Sequence, residues 1–257
     1  MTEPPANSNR PQRPTIAERA ANAGPRVQRS AAWGVHIFTA TGVVFAFLAL
    51  LAVYHGNPRE TLMWLGIALI VDGVDGPLAR MFRVKDVLPR VDGSALDLVV
   101  DYFTYVVVPA AFMHEFGMFP AGTSIAACAL VLATSLYIFA NLDMKTSDNY
   151  FTGFPAIWNI VALVFFVTSS PPLLNLVLTA AFCVMTFSKL KFSHPLRVRE
   201  YRVPTLVMSL VWLASAAWLV FVYPERPQVV LLAFALSSAY FALLVGLRSF
   251  RGPSGQN

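Results

Sequence analysis

Eight apolar runs, each near the length of a membrane-spanning helix, constrain the fold of this chain more than any other feature. Their bounds are 33–54, 61–82, 94–116, 121–142, 154–169, 171–188, 203–222 and 228–247. About 20 apolar residues are enough for a helix to cross a bilayer core, and only 13% of the residues in this chain are charged. The sequence therefore predicts an all-α polytopic membrane protein with about eight transmembrane helices.

The basic residues predict the orientation of these helices. With the N-terminus in the cytoplasm, all of the 19 Lys and Arg except Arg59 and Arg226 fall on the cytoplasmic side. This asymmetry is the one that the positive-inside rule describes, so both termini are expected in the cytoplasm. We expect a polar cytoplasmic N-terminal segment over residues 1–30, a transmembrane domain over 31–250 and a cytoplasmic tail over 251–257. The net charge of +5 follows from the same asymmetry and does not indicate nucleic-acid binding.

Four aspartates interrupt the second and third apolar runs, where ionised groups are unfavourable. Asp72 and Asp75 share one face of the second predicted helix, while Asp97 and Asp101 lie four residues apart on the third. All four lie about 10–16 Å from the cytoplasmic ends of their helices, so their carboxylates can meet at one level. An ionised Asp inside a span is unfavourable by on the order of 3 kcal/mol, which favours bound cations. The pattern predicts a carboxylate site for one or two Mg²⁺ or Mn²⁺ ions beside the guanidinium of Arg80.

A motif across these two runs resembles the signature of the CDP-alcohol phosphatidyltransferases, membrane enzymes that displace CMP from a CDP-linked lipid or alcohol. Its eight positions here are Asp72, Asp75, Gly76, Ala79, Arg80, Gly93, Asp97 and Asp101. Most members have a shorter gap between the Arg and the next Gly. The longer gap here, residues 81–92, resembles the bacterial phosphatidylcholine synthase branch, as do the stretches VHIFTATG (35–42), VKDVLPR (84–90) and TGFPAIWN (152–159).

The resemblance implies a reaction and a set of metal ligands. The phosphatidyl group of CDP-diacylglycerol would pass to choline, with release of CMP. Asp72, Asp75 and Asp97 would hold the metals, and Asp101 would serve both as a ligand and as the general base. We expect two ions, either Mn²⁺ or Mg²⁺, at this site.

The same resemblance implies how the nucleotide would be bound. Gly76 and Ala79 would leave space for the cytidine nucleotide, and Arg80 would grip the diphosphate. A Thr one turn into the first span helps to bind CDP in other members, and Thr39 or Thr41 would do so here. His36 stands where relatives often have Asn, so its role stays open.

Choline has no N–H to donate, so aromatic faces are expected to recognise its quaternary ammonium. Tyr105 lies one turn beyond Asp101 on the same helix face, and Trp158 lies near the cytoplasmic end of the fourth-to-fifth connection. Both are candidates for choline contacts, with an interfacial aromatic belt as the alternative for each. The basic segment 188–202 fits either positive-inside charge or a site for anionic lipid headgroups.

Two other functions are compatible with parts of this pattern. A sister transferase that uses serine, inositol or glycerol phosphate would share the motif. A cation transporter would also carry carboxylates inside its spans, but the sequence shows no repeats and Arg80 would repel a transported cation. We therefore expect an integral protein of the bacterial inner membrane that binds CDP-diacylglycerol, choline and membrane lipids and no nucleic acid. The sequence is compatible with a homodimer and leaves the oligomeric state open.

Overall fold

The computed structural model describes residues 24–141, 151–188, 191–192 and 202–250 of the 257-residue chain. Their regular secondary structure is helical, as predicted, apart from one short strand pair. The helices are α1 (Pro25–Tyr54), α2 (Pro58–Met81), α3 (Val84–Val87), α4 (Gly93–Tyr102), α5 (Val108–Glu115), α6 (Ser124–Ala140), α7 (Trp158–Thr168), α8 (Pro172–Met185), α9 (Arg202–Phe221) and α10 (Gln228–Phe250). A π-helical turn, Phe103–Val107, joins α4 to α5 in one continuous helix, Gly93–Glu115.

Each of the eight predicted apolar runs contains a helix. Within the described ranges, four helices are long and apolar enough to cross a membrane, judged by length and composition: Pro25–Tyr54, Pro58–Met81, Gly93–Glu115 and Val203–Phe221. The other four apolar helices have 10–17 residues: Ser124–Ala140, Trp158–Thr168, Pro172–Met185 and Gln228–Leu244. Many large apolar side chains point outward, and Val229, for example, is 81% exposed. Apolar surface of this kind needs lipid or a partner to cover it, which fits an integral membrane protein.

A tight turn joins α1 to α2 and makes them an antiparallel pair. Gly56 follows the end of α1 with φ +66°, a left-handed conformation that glycine adopts without a steric penalty. Asn57 caps α2, because its side chain accepts a hydrogen bond from the backbone N–H of Glu60 at 3.1 Å. Pro58 occupies the first turn, where the missing N–H would have no helical partner. The α1–α2 pair is the most extensively packed pair of helices in the described chain.

The long connection between α2 and α4 folds back against α1. Arg83 turns the chain with a left-handed backbone, φ 49° and ψ 43°, and the short helix α3 follows it. Val84 and Leu88 are buried in a cluster with Ala32 and Val35 of α1. The long gap of the motif, residues 81–92, therefore contains an ordered element that links α2 to α4 and packs against α1.

Asp92 determines where α4 begins. Its side chain accepts hydrogen bonds from the backbone N–H groups of Ser94 and Ala95 at 2.9 and 3.2 Å. The first turn of a helix leaves such N–H groups without helical partners, so an Asp cap stabilises this start. Because the start is defined, Asp97 and Asp101 follow at defined positions along α4.

One antiparallel strand pair lies outside the helices. β1 (Phe151–Thr152) precedes α7 and β2 (Lys191–Phe192) follows α8, with Phe151 opposite Phe192 and Thr152 opposite Lys191. The pair joins the connection before α7 to the connection after α8. Two residues per strand do not change the helical class of the fold.

The segment from α4 to α8 contributes most of a buried apolar cluster, to which Val53 of α1, Leu62 of α2 and Val220 of α9 also belong. Phe112 of α5, Val131 of α6 and Trp158 of α7 are fully buried in it. Tyr102 and Tyr105, on and beside α4, are partly buried and pack against the same cluster. The packing holds the helix that carries Asp97 and Asp101 against the second half of the chain.

Gly42 allows α1 to approach α4 closely. A Cβ atom at this position would lie only 2.6 Å from Cγ1 of Val100, a distance that real Cβ contacts do not show. Val is branched at Cβ and has little rotamer freedom on a helix, so Val100 cannot easily yield. The distance between these two helices therefore depends on a glycine at position 42.

We expect Gly42→Ala to lower the free energy of unfolding by about 1–3 kcal/mol, because the added methyl group overpacks the α1–α4 contact. The midpoint of thermal unfolding in detergent measures the effect. Gly66→Ala in α2 is the matched control, since an added Cβ there meets no atom within 4 Å, and it should cause no loss. Adding Val100→Ala to Gly42→Ala should recover part of the loss; equal midpoints for Gly42→Ala and Gly66→Ala would contradict the contact.

Candidate functional site

Three aspartates on α2 and α4 bring their carboxylates together. Asp72, Asp97 and Asp101 each offer one oxygen, and the three oxygens lie within 4.8 Å of one another. All three side chains are half-buried. Carboxylate oxygens are the ligands that hard divalent cations such as Mg²⁺ and Mn²⁺ prefer. The described residues at this position therefore fit a divalent cation.

Asp75 lies beside this group on α2 and is buried. Thr39 of α1 lies beside its carboxylate, and the Thr39 hydroxyl donates a hydrogen bond to the carbonyl oxygen of Val35 at 3.3 Å. Asp72 and Asp101 are close enough to Asp75 to interact with it electrostatically. Thr39, which the resemblance assigns to the nucleotide, is thus next to the carboxylates.

Arg80 and the small residues of the motif lie on the same helix, α2. A Cβ atom at Gly76 would lie 3.5 Å from Nη1 of Arg80, so the guanidinium rests beside the backbone of this glycine. The Arg80 side chain is exposed and available to an anionic ligand. Ala79 is partly buried and packs against the cluster that joins α1 to α3.

Tyr105 contacts the acidic group directly. Its hydroxyl donates a hydrogen bond to the carboxylate of Asp72, and its ring packs against the buried cluster of α4–α8. The contact crosses from the π-helical turn to α2. The assignment of Tyr105 to choline stays a prediction. The structure shows in addition that Tyr105 forms a hydrogen bond with Asp72, a candidate metal ligand.

Trp158 is fully buried at the start of α7. Its indole N–H donates to the Ser135 hydroxyl at 2.9 Å, and its ring makes edge contacts with Phe154 and Phe182. These contacts account for its polar group and much of its surface. Its assignment to choline also stays a prediction.

His36 lies on α1, and its ring packs against Gly93 at the start of α4. It is 6% exposed, and within the described part of the chain its Nε2 has no hydrogen-bond partner. A Cβ atom at Gly93 would lie 3.0 Å from Cε1 of His36. The glycine of the motif therefore leaves room for this imidazole, one turn before Asp97.

Several contacts at the site could not be read from the sequence. The cap formed by Asp92 has a recognisable signal, an Asp directly before a helix. The contact of Gly42 with Val100 and the bond from Tyr105 to Asp72 have none, since each joins positions far apart in the chain. The predicted N-terminal segment 1–30, the basic segment 188–202 and the tail 251–257 lie wholly or largely outside the described residues.

Proteins similar to this chain are named phosphatidylcholine synthase. The one from Pseudomonas aeruginosa is 43% identical over 225 residues, which cover 88% of this chain and 94% of that protein. Those from Agrobacterium fabrum and Rhizobium johnstonii are each 35% identical over 219 residues, 85% of this chain and 91% and 90% of the two proteins. No protein-family model matches the sequence.

We expect Gly93→Ala to lower the free energy of unfolding by about 1 kcal/mol, because its methyl group pushes on the His36 ring. A double-mutant cycle with His36→Ala tests the contact: the combined variant should lose less than the sum of the two single losses. Gly34→Ala on α1 is the control, since its Cβ would meet nothing within 4 Å. Strictly additive losses, measured as unfolding midpoints, would contradict the packing of His36 on Gly93.

Proposed function

The chain belongs to the phosphatidylcholine synthase family, and we propose that it transfers the phosphatidyl group of CDP-diacylglycerol to choline, forming phosphatidylcholine and CMP. The observation that carries this function is the 43% identity to the Pseudomonas aeruginosa protein over 88% of the chain. The eight motif positions support membership in the wider group of CDP-alcohol phosphatidyltransferases. The protein is accordingly an enzyme of phospholipid synthesis.

Asp72, Asp97 and Asp101 would hold two divalent cations, Mg²⁺ or Mn²⁺, with Asp75 completing the set. The support is the 4.8 Å grouping of carboxylate oxygens from two helices, together with the penalty of on the order of 3 kcal/mol for each ionised Asp inside a span. When bound, the ions would neutralise the diphosphate of the lipid substrate and stabilise the departing CMP.

Asp101 is the proposed general base. One of its carboxylate oxygens would take the proton from the choline hydroxyl as the choline oxygen forms a bond to the phosphorus that carries diacylglycerol. The bond from that phosphorus to the bridging diphosphate oxygen breaks, and CMP leaves with that oxygen. An alcohol is a poor nucleophile at neutral pH, so a base within hydrogen-bond reach is needed.

Residues of α2 and α1 would bind the nucleotide. The exposed guanidinium of Arg80 would donate hydrogen bonds to the diphosphate, for which its planar fork is suited. Gly76 would let the nucleotide approach the backbone of α2, and Ala79 would keep the neighbouring position small. Thr39 would contact the CDP moiety from α1.

The proposed topology has eight spans with both termini in the cytoplasm of a bacterium, in its inner membrane. It is supported by one helix in each of the eight apolar runs and by the distribution of Lys and Arg, of which only Arg59 and Arg226 fall on the outer side. In this arrangement the carboxylates lie in the cytoplasmic half of the bilayer. Choline would reach them from the cytoplasm and CDP-diacylglycerol from the surrounding lipid.

The full chain, purified in detergent and given CDP-diacylglycerol with labelled choline, should form phosphatidylcholine and CMP in equal amounts when Mn²⁺ is present. Chelation of divalent ions should abolish both products, because the carboxylates need the ions to hold the diphosphate. Serine, inositol and glycerol phosphate run in parallel as acceptors. If one of these alcohols gives product and choline gives none, the acceptor is that alcohol and the assignment to choline is wrong. Full activity under rigorous chelation would show that the reaction does not need the proposed metal site.

Asp101→Asn should lower turnover by at least about 10²-fold, because the amide cannot accept the choline proton, while binding of the cytidine nucleotide stays measurable. Turnover is followed with the same assay and nucleotide binding by calorimetry. The matched control is Asp86→Asn, an exposed carboxylate that pairs with Arg83 at 3.0 Å in the connection before α4, and it should retain activity. Normal turnover in Asp101→Asn would exclude the proposed base.

A further inference from the structure

The helix that carries Asp97 and Asp101 changes its winding directly after them. Residues Phe103–Val107 form a π-helical turn, a rare geometry that occurs frequently at functional sites. The Thr104 hydroxyl donates toward the carbonyl oxygens of Val100 and Asp101, at 3.1 and 3.4 Å. The Thr104 hydroxyl therefore adds side-chain hydrogen bonds to backbone carbonyls where the regular α-helical hydrogen bonding is interrupted.

The wider turn determines where Tyr105 points. An extra residue within one turn rotates everything after it relative to a regular helix, so position 105 is displaced from where regular spacing would put it. In this orientation the Tyr105 hydroxyl donates to the carboxylate of Asp72 on α2, and the ring is held by the apolar cluster of α4–α8. Tyr105 thus joins a rigid part of the core to one of the grouped carboxylates.

We propose that Tyr105 is a positioning residue for Asp72: its hydroxyl holds this carboxylate in the orientation that binds the metal, and the π-helical turn aims it there. The inference rests on the proposed metal site. Asp97 and Asp101 carry the same charge as Asp72 and repel it at the observed spacing. A donor fixed by core packing opposes this repulsion and limits the rotation of the Asp72 side chain.

Outer hydrogen bonds of this kind have measurable effects on metal binding. Partners that orient ligating side chains raise metal affinity, and their removal typically lowers it about 10–100-fold. Tyr105 has the features of such a partner, since it contacts a candidate ligand and is itself held by packing. The role differs from a choline contact, which would act through the ring face rather than through the hydroxyl.

Tyr102 offers a matched control on the same helix. Its hydroxyl also donates to another helix, to the carbonyl oxygen of Leu132 on α6 at 3.0 Å, and its ring also packs against the buried cluster. Replacement by Phe removes one partly buried interhelical hydrogen bond at either position. Only the bond made by Tyr105 ends on the grouped carboxylates.

The test compares Tyr105→Phe, Tyr102→Phe and wild type as purified full-length proteins, with Asp97→Asn as a variant that lacks a ligand. Mn²⁺ affinity is measured by calorimetry or by the electron paramagnetic resonance of free Mn²⁺. We expect Tyr105→Phe to raise the Mn²⁺ Kd about 10-fold or more and Tyr102→Phe to leave it unchanged. In the transferase assay, Tyr105→Phe should lose activity at low Mn²⁺ and recover much of it at high Mn²⁺, with no matching rise in the choline KM.

The other outcomes are distinct. If wild type and Asp97→Asn bind Mn²⁺ equally weakly, both the metal site and the positioning role are wrong. If Asp97→Asn loses binding while Tyr105→Phe keeps the wild-type Kd, only the positioning role is wrong. A higher choline KM in Tyr105→Phe with unchanged Mn²⁺ Kd would likewise overturn it and favour a choline contact.

A second measurement keeps the tyrosine hydroxyl and its hydrogen bond in place. Fluorotyrosine inserted at position 105 or at position 102 reports on the surroundings of each ring by fluorine NMR. Mg²⁺ should shift the resonance from position 105 and leave that from position 102 in place, because only the first contacts a metal ligand. Equal responses at the two positions would overturn the positioning role.

Discussion

Carboxylates grouped inside membrane-embedded helices are the constraint on which the rest of this site depends. Each ionised Asp in a span is unfavourable by on the order of 3 kcal/mol, and repulsion adds to this because the oxygens of Asp72, Asp97 and Asp101 lie within 4.8 Å of one another. Such a group persists only where neighbours hold its members in place. Such a group of carboxylates can take part in binding or catalysis only where cations or a cationic substrate group offset its negative charge.

The first helix closes this site although it contributes no carboxylate to it. Thr39 lies beside Asp75, the His36 ring fills the space beside Gly93, and Gly42 permits close contact with α4. These contacts recur every three residues along α1, so one face of the helix lies along α2 and α4. The core behind α4, with the ring of Tyr105 packed against it, supports the site from the opposite side.

The positions of the helices follow closely from composition, because long apolar runs in a membrane have few alternatives to helix. The boundaries differ where local chemistry intervenes. α1 begins at Pro25, before the apolar run, since Arg26 and Arg29 suit a helical backbone even though they are not apolar. α7 begins at Trp158, after the start of its run, since Ala156 takes a positive φ of 55° that no right-handed helix contains.

The sequence by itself determined the helical class of the chain and the faces on which the aspartates lie, because helical spacing is local and is set by backbone hydrogen bonds between near neighbours. Only the tertiary structure decided that the carboxylates of Asp72, Asp97 and Asp101 meet closely while Asp75 lies beside Thr39. It also decided that the Tyr105 hydroxyl reaches Asp72. Those contacts depend on how helices far apart in the chain rotate and pack, and on one wide turn that no spacing rule predicts.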